Sequence, residues 1–81
     1  MVKIYGSMQC PDCVLCLKEL ENAGIRYEYL DFSDNLKNLK EFLQIRDQNP
    51  VFDSVKEQGK IGIPAIVTND GSVMLDWSSL T

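Results

Sequence analysis

Cys10-Pro11-Asp12-Cys13 sets two thiols one helical turn apart, directly after the apolar run Val2-Lys3-Ile4-Tyr5. Thiols at that spacing can exchange a disulfide: one attacks an external disulfide, and the second attacks the mixed disulfide that results. Cys10 is the expected nucleophile. A thiolate there sits where unpaired backbone N–H groups and the positive end of a helix dipole meet, which favours its charged form. Cys13, one turn along and turned inward, is the expected resolving thiol. Asp12 stabilises a helix N-terminus but opposes a second negative charge on Cys10.

A third cysteine, Cys16, falls on the same turn-by-turn path. It reads as a small buried hydrophobe or as an auxiliary thiol that takes the disulfide from Cys13. Three cysteines within residues 10–16 cannot staple a small secreted fold, because such short loops constrain little chain and one thiol is left over. Clustered thiols of this kind belong to catalysis or metal binding in a reducing compartment. One alternative is therefore a Zn or iron–sulfur module through Cys10, Cys13 and Cys16, with a fourth ligand from glutathione, water or a second chain. The chain has no His to complete such a site. Another alternative is a redox-sensing binding module that does not turn over.

Several elements must hold these thiols in place. Val2 to Tyr5 alternates as a strand, and Pro11 suits the first position of a helix because its missing N–H has no intrahelical partner there. Cys13, Cys16, Leu17 and Leu20 share one helix face, and Gly24 can end the helix in a left-handed cap. Tyr27 to Leu30 reads as a second strand, parallel to the first through a right-handed crossover. Ser33 or Asp34 is the expected cap of a second helix to about Asp47, with Leu36, Leu39, Phe42 and Leu43 as its apolar stripe. Asn49 and Pro50 start a third helix, with Phe52 and Val55 inward, which Gly59 stops. Ala65 to Thr68 and Val73 to Leu75 form a hairpin across Asn69-Asp70-Gly71-Ser72. The expected architecture is α/β, strand-helix-strand-helix-helix-strand-strand, as one domain over residues 1–81.

At this length the core must be compact, since a small domain buries only about 60% of its unfolded surface. Hydrophobic residues make up 44% of the chain and charged residues 25%, which suits a globular protein. The net charge of -4, with no Lys/Arg run, speaks against a nucleic-acid partner. No stretch approaches the roughly 20 apolar residues of a membrane span, and no secretory signal opens the chain. The expected location is cytoplasmic, with no membrane partner.

Cys10-Pro11-Asp12-Cys13 after the first strand, Gly62-Ile63-Pro64-Ala65 before the third, and the order of elements together resemble the glutaredoxin branch of the thioredoxin-like superfamily. The resemblance implies a glutaredoxin fold with a four-stranded mixed sheet, a thiol-disulfide oxidoreductase activity and a cis Ile63-Pro64 bond beside Cys10. It also implies that Gly62, Ile63 and Pro64 align an extended substrate by backbone pairing. The implied partners are a disulfide-containing protein or small thiol, and glutathione or a reductase as electron donor; no tightly bound cofactor follows. The chain departs from the family in three places: Asp12 replaces an aromatic residue, no basic residue precedes Cys10, and Leu75-Asp76-Trp77-Ser78-Ser79 replaces the Gly-Gly pair and acidic residue that hold glutathione. Trp77 reads as a core seal, Tyr5 as packing, and Arg46 and Lys60 as solvated charges.

Overall fold

In the computed structural model, which describes residues 1–81, strand β1 (Val2–Gly6) is central. It pairs in parallel with β2 (Tyr27–Asp31) on one side and antiparallel with β3 (Ala65–Val67) on the other. Strand β4 (Val73–Met74) adds antiparallel to β3, giving one mixed sheet in the order β2-β1-β3-β4. Helix α1 (Pro11–Asn22) joins the parallel pair, and α2 (Leu36–Gln48) follows β2. A 3-10 turn, Pro50–Phe52, leads straight into the short helix α3 (Asp53–Glu57), and a second 3-10 turn, Trp77–Leu80, closes the chain.

Alternation along the strands divides the core in two, because successive side chains leave a strand on opposite faces. Val2 and Ile4 of β1 and Ile66 of β3 pack with Cys16 and Leu20 of α1. Tyr5 and Ala65, one residue out of phase, pack with Phe42 of α2 and Phe52 on the other face. Helices therefore cover both faces of β1 and β3. The second half of the core is aromatic: Phe32 stacks on Phe42 at 5.0 Å, and Phe42 meets Phe52 edge-on at 6.0 Å.

The helix ends follow local chemistry. Gly24 takes a left-handed φ of 71° just past α1, where a side chain would be strained. The cap of α2 is Asn35, whose carboxamide accepts from the Asn38 N–H at 3.0 Å, and not Ser33 or Asp34. Both of those come too early, and Ser33 is drawn into a pair with Ser7. The stripe on α2 also differs from expectation, since Phe42 is buried but Leu36 and Leu43 are exposed. The inward face runs through Phe42 and Ile45; Leu43, one residue from Phe42, is turned about 100° around the axis from it, and Leu36 lies at the first position of the helix. Asn49 does cap the next segment, accepting from the Val51 N–H at 3.0 Å, although the first turn is 3-10 and not α. Strand β3 stops a residue short of the expected bounds, where Thr68 turns to hydrogen-bonding within the hairpin loop, and β4 ends at Met74, one residue before the expected Leu75. No helix is long and apolar enough to cross a membrane.

Candidate active site

Strand β1 ends at Gly6, and the chain must turn sharply to start α1 four residues later. The Cys10 N–H donates to the Ser7 carbonyl at 3.0 Å, which closes the turn. Cys10 is the N-cap of α1, with extended backbone (φ −94°, ψ 119°), and its carbonyl accepts from the N–H groups of Cys13 and Val14. Pro11 follows at the first helical position. Cys10 is thus a half-buried thiol at the head of a twelve-residue helix.

Asp31, at the end of the neighbouring strand, fixes the turn from outside. Its carboxylate accepts from the Met8 N–H at 3.1 Å and from the Ser33 N–H at 2.7 Å. Partial burial pushes its carboxyl up, but those two backbone donors and the Ser33 and Tyr29 hydroxyls together outweigh it and hold the group below the usual range. Ser7 and Ser33 pair through their hydroxyls, and Ser7 Oγ also accepts from the Gln9 N–H.

Cys13 is fully buried behind Cys10. A Cβ on Gly6 would lie 2.7 Å from Cys13 Sγ and 3.4 Å from the Tyr29 hydroxyl, so the close approach of thiol and strand requires glycine there. Burial pushes the Cys13 thiol up to about 12; the Ser7 N–H opposes this, and the adjoining Cys10 thiol adds to it. Tyr29 is raised as well, by burial first and then by the charge that Cys13 and Asp31 would present. The two thiols of the motif are therefore neighbours in unlike settings, one at the surface and one enclosed and protonated.

Cys16 does not join them. It lies in the core between α1 and the sheet, and burial together with Glu19 pushes its thiol up to about 11. No group of three or more His, Cys, Asp or Glu side chains is gathered so as to hold a metal ion.

Cys10 and Asp12 line a cleft of about 460 Å³ with Ile63, Pro64, Leu75 and Trp77 opposite. The Ile63-Pro64 bond is cis. Gly62 also borders the cleft, but its backbone takes a φ of 91° and presses on the 3-10 turn and α3: a Cβ there would meet Phe52 Cδ1 at 2.7 Å and Val55 Cγ2 at 3.0 Å. The third helix thus supports the loop that faces Cys10.

Arg46 is not a solvated charge. Its Nε donates to the Ile61 carbonyl at 2.8 Å and its Nη2 to the Lys60 carbonyl at 2.9 Å, tying the loop to α2. Nothing local in the sequence marks this role, because both acceptors are backbone groups 14 and 15 residues away. Asp31 and Gly6 were equally hidden, since Met8 reaches Asp31 only once β1 and β2 pair, and Cys13 reaches Gly6 only once α1 packs back on β1. Lys60 borders the cleft. Trp77 both borders it and packs on the first core cluster, donating from Nε1 to Glu19 at 2.7 Å. Tyr5 is core, its hydroxyl donating to Glu41 at 3.1 Å, and burial pushes it up to about 12.

Among known proteins, no family model and no solved structure matches the chain. A protein of Haemophilus influenzae described as uncharacterized is 39% identical over 77 residues, which span 95% of this chain and 90% of that protein. An identity of that size over nearly the whole of both chains places this protein in one family with the uncharacterized Haemophilus influenzae protein.

Proposed function

We propose that the protein is a thiol-disulfide oxidoreductase of glutaredoxin type, built on a thioredoxin-like fold and working in the cytoplasm. The single observation that carries this reading is the setting of the two motif thiols: Cys10 half-buried at the head of α1 in a cleft with Ile63 and Pro64, and Cys13 enclosed behind it. Cys10 attacks one sulfur of a substrate disulfide as the thiolate. A mixed disulfide forms and one substrate thiolate leaves. Cys13 then loses its proton and attacks Cys10 Sγ, which breaks the mixed disulfide and releases the second substrate thiolate. Two electrons pass from the dithiol to the substrate, leaving a Cys10–Cys13 disulfide for glutathione or a reductase to reduce.

The enclosed setting of Cys13 suits the second role and not the first, since a thiol held protonated by burial is a poor nucleophile toward an external disulfide. Gly62, Ile63 and Pro64 form the wall along which a substrate segment aligns. The test is reduction of a small disulfide coupled to glutathione with its reductase, and separately to thioredoxin reductase. Turnover in the wild type with none in Cys10→Ser supports the reading. Undiminished turnover in Cys10→Ser sinks it.

A further inference from the structure

Three recesses around Cys10 run into one another. The cleft described above shares Cys10, Ile61 and Ile63 with a second recess of about 360 Å³. The second shares Phe32 and Ile61 with a third of about 270 Å³, walled by Leu39, Phe42 and Leu43. Ile61 borders all three and is 55% exposed, on a loop that Arg46 holds in place. A track with Ile63, Ile61, Phe32 and Leu43 along it, and Ser7, Gln9 and Ser33 beside its middle, therefore leads away from the nucleophile along the outside of the cis-proline loop.

Charge decides what kind of molecule such a track accepts. The first cleft offers one cation, Lys60, and one anion, Asp12, and the second offers no charged side chain. Arg46 borders only the third, where two of its nitrogens already donate to backbone carbonyls. Glutathione disulfide presents four carboxylates against two ammonium groups, and this chain itself carries a net charge of -4. An extended polypeptide presents neutral amides and whatever side chains flank its cysteine. The track matches the second ligand in both polarity and charge.

Resting on the oxidoreductase reading, we infer that the substrate is a disulfide within a polypeptide, bound as an extended segment whose apolar side chains beside the cysteine lie over Ile61 and Ile63, and that Ile61 determines this specificity. The chemical step is the exchange already written, with Cys10 bonding to the cysteine of that segment.

Four oxidants test it against the reduced full-length protein: a peptide disulfide with Leu and Val beside its cysteine, the same peptide with Glu at those positions, glutathione disulfide, and bis(2-hydroxyethyl) disulfide. The apolar peptide is expected to exceed both the Glu peptide and glutathione disulfide in kcat/KM by about tenfold or more, the scale set by burying a large aliphatic contact. In Ile61→Asn, which removes the apolar contact without adding charge, the ratio of apolar to Glu peptide should fall about tenfold, and in Ile61→Leu it should hold. Equal rates for glutathione disulfide and the apolar peptide, or an unchanged ratio in Ile61→Asn, overturn the inference and leave the oxidoreductase reading standing. Failure to reduce even the small hydroxyethyl disulfide removes both.

Discussion

The two thiols of the motif are divided by a single turn of helix, and burial gives them different settings. Replacing Cys13 with Ser should let Cys10 form the mixed disulfide but not resolve it, so a substrate adduct at Cys10 should accumulate in intact-protein mass spectrometry. Its absence would count against Cys13 as the resolving thiol. Cys16→Ala should retain turnover, because that side chain touches only core residues. The buried thiols also set a pH limit. Cys13 and Cys16 keep their protons to about 12 and about 11 in the folded chain, against an ordinary value of 9.0. Above about pH 9 the unfolded chain thus binds fewer protons than the folded one, and stability must decline as pH rises through that window while being intact below it. Urea midpoints at pH 8 and pH 10 check this, with a smaller decline expected in Cys16→Ala. At this scale the sequence made Cys10 and Cys13 legible by spacing alone. Arg46 was illegible, because a guanidinium that serves distant carbonyls looks the same in sequence as one that serves water.

Between elements, the loop before β3 is held from two sides, by Arg46 of α2 and by Phe52 of the 3-10 turn before α3. Gly62 and Gly71 separate the contributions to that arrangement. Both have positive φ, 91° and 87°, but a Cβ on Gly71 meets nothing within 4 Å, whereas one on Gly62 runs into the Phe52 ring. Gly71→Ala is therefore expected to cost about 1 kcal/mol of stability for its backbone conformation alone. Gly62→Ala should cost about 1–3 kcal/mol more through overpacking, read as the difference in urea unfolding free energy. Equal costs would mean that the ring gives way. Arg46→Ala, which frees the two loop carbonyls, should destabilise by about 1–2 kcal/mol and raise KM for a peptide disulfide more than it lowers kcat. Element types followed from periodicity, Pro positions and the Asp-Gly turn. The exposed Leu36 and Leu43 did not, since an apolar stripe shows which residues could face inward but not which edge of it the core covers.

Across the whole molecule, Trp77 links the cleft to the core, bordering the space before Cys10 while its indole is tied to α1 through Glu19. As the only tryptophan it should report the redox state, with emission changing when a Cys10–Cys13 disulfide forms and not changing in Cys10→Ser on the same oxidant. Identical emission spectra of the oxidised and reduced wild type would show that the cleft does not transmit the change to Trp77. Patterns carried within a few residues determined much of this protein from sequence alone: the motif thiols, the strand-helix alternation, the proline and glycine helix ends, and the hairpin. These are local because period, capping and turn chemistry act within a turn or two of chain. Tertiary structure alone decided that Gly6 admits the Cys13 sulfur, that Asp31 pins the turn before Cys10, that Arg46 and Phe52 brace the opposite wall, and that Ile61 joins three recesses into one track. Each of those depends on a contact between different elements, and only the pairing of strands and the packing of helices and turns over both sheet faces brings them within reach.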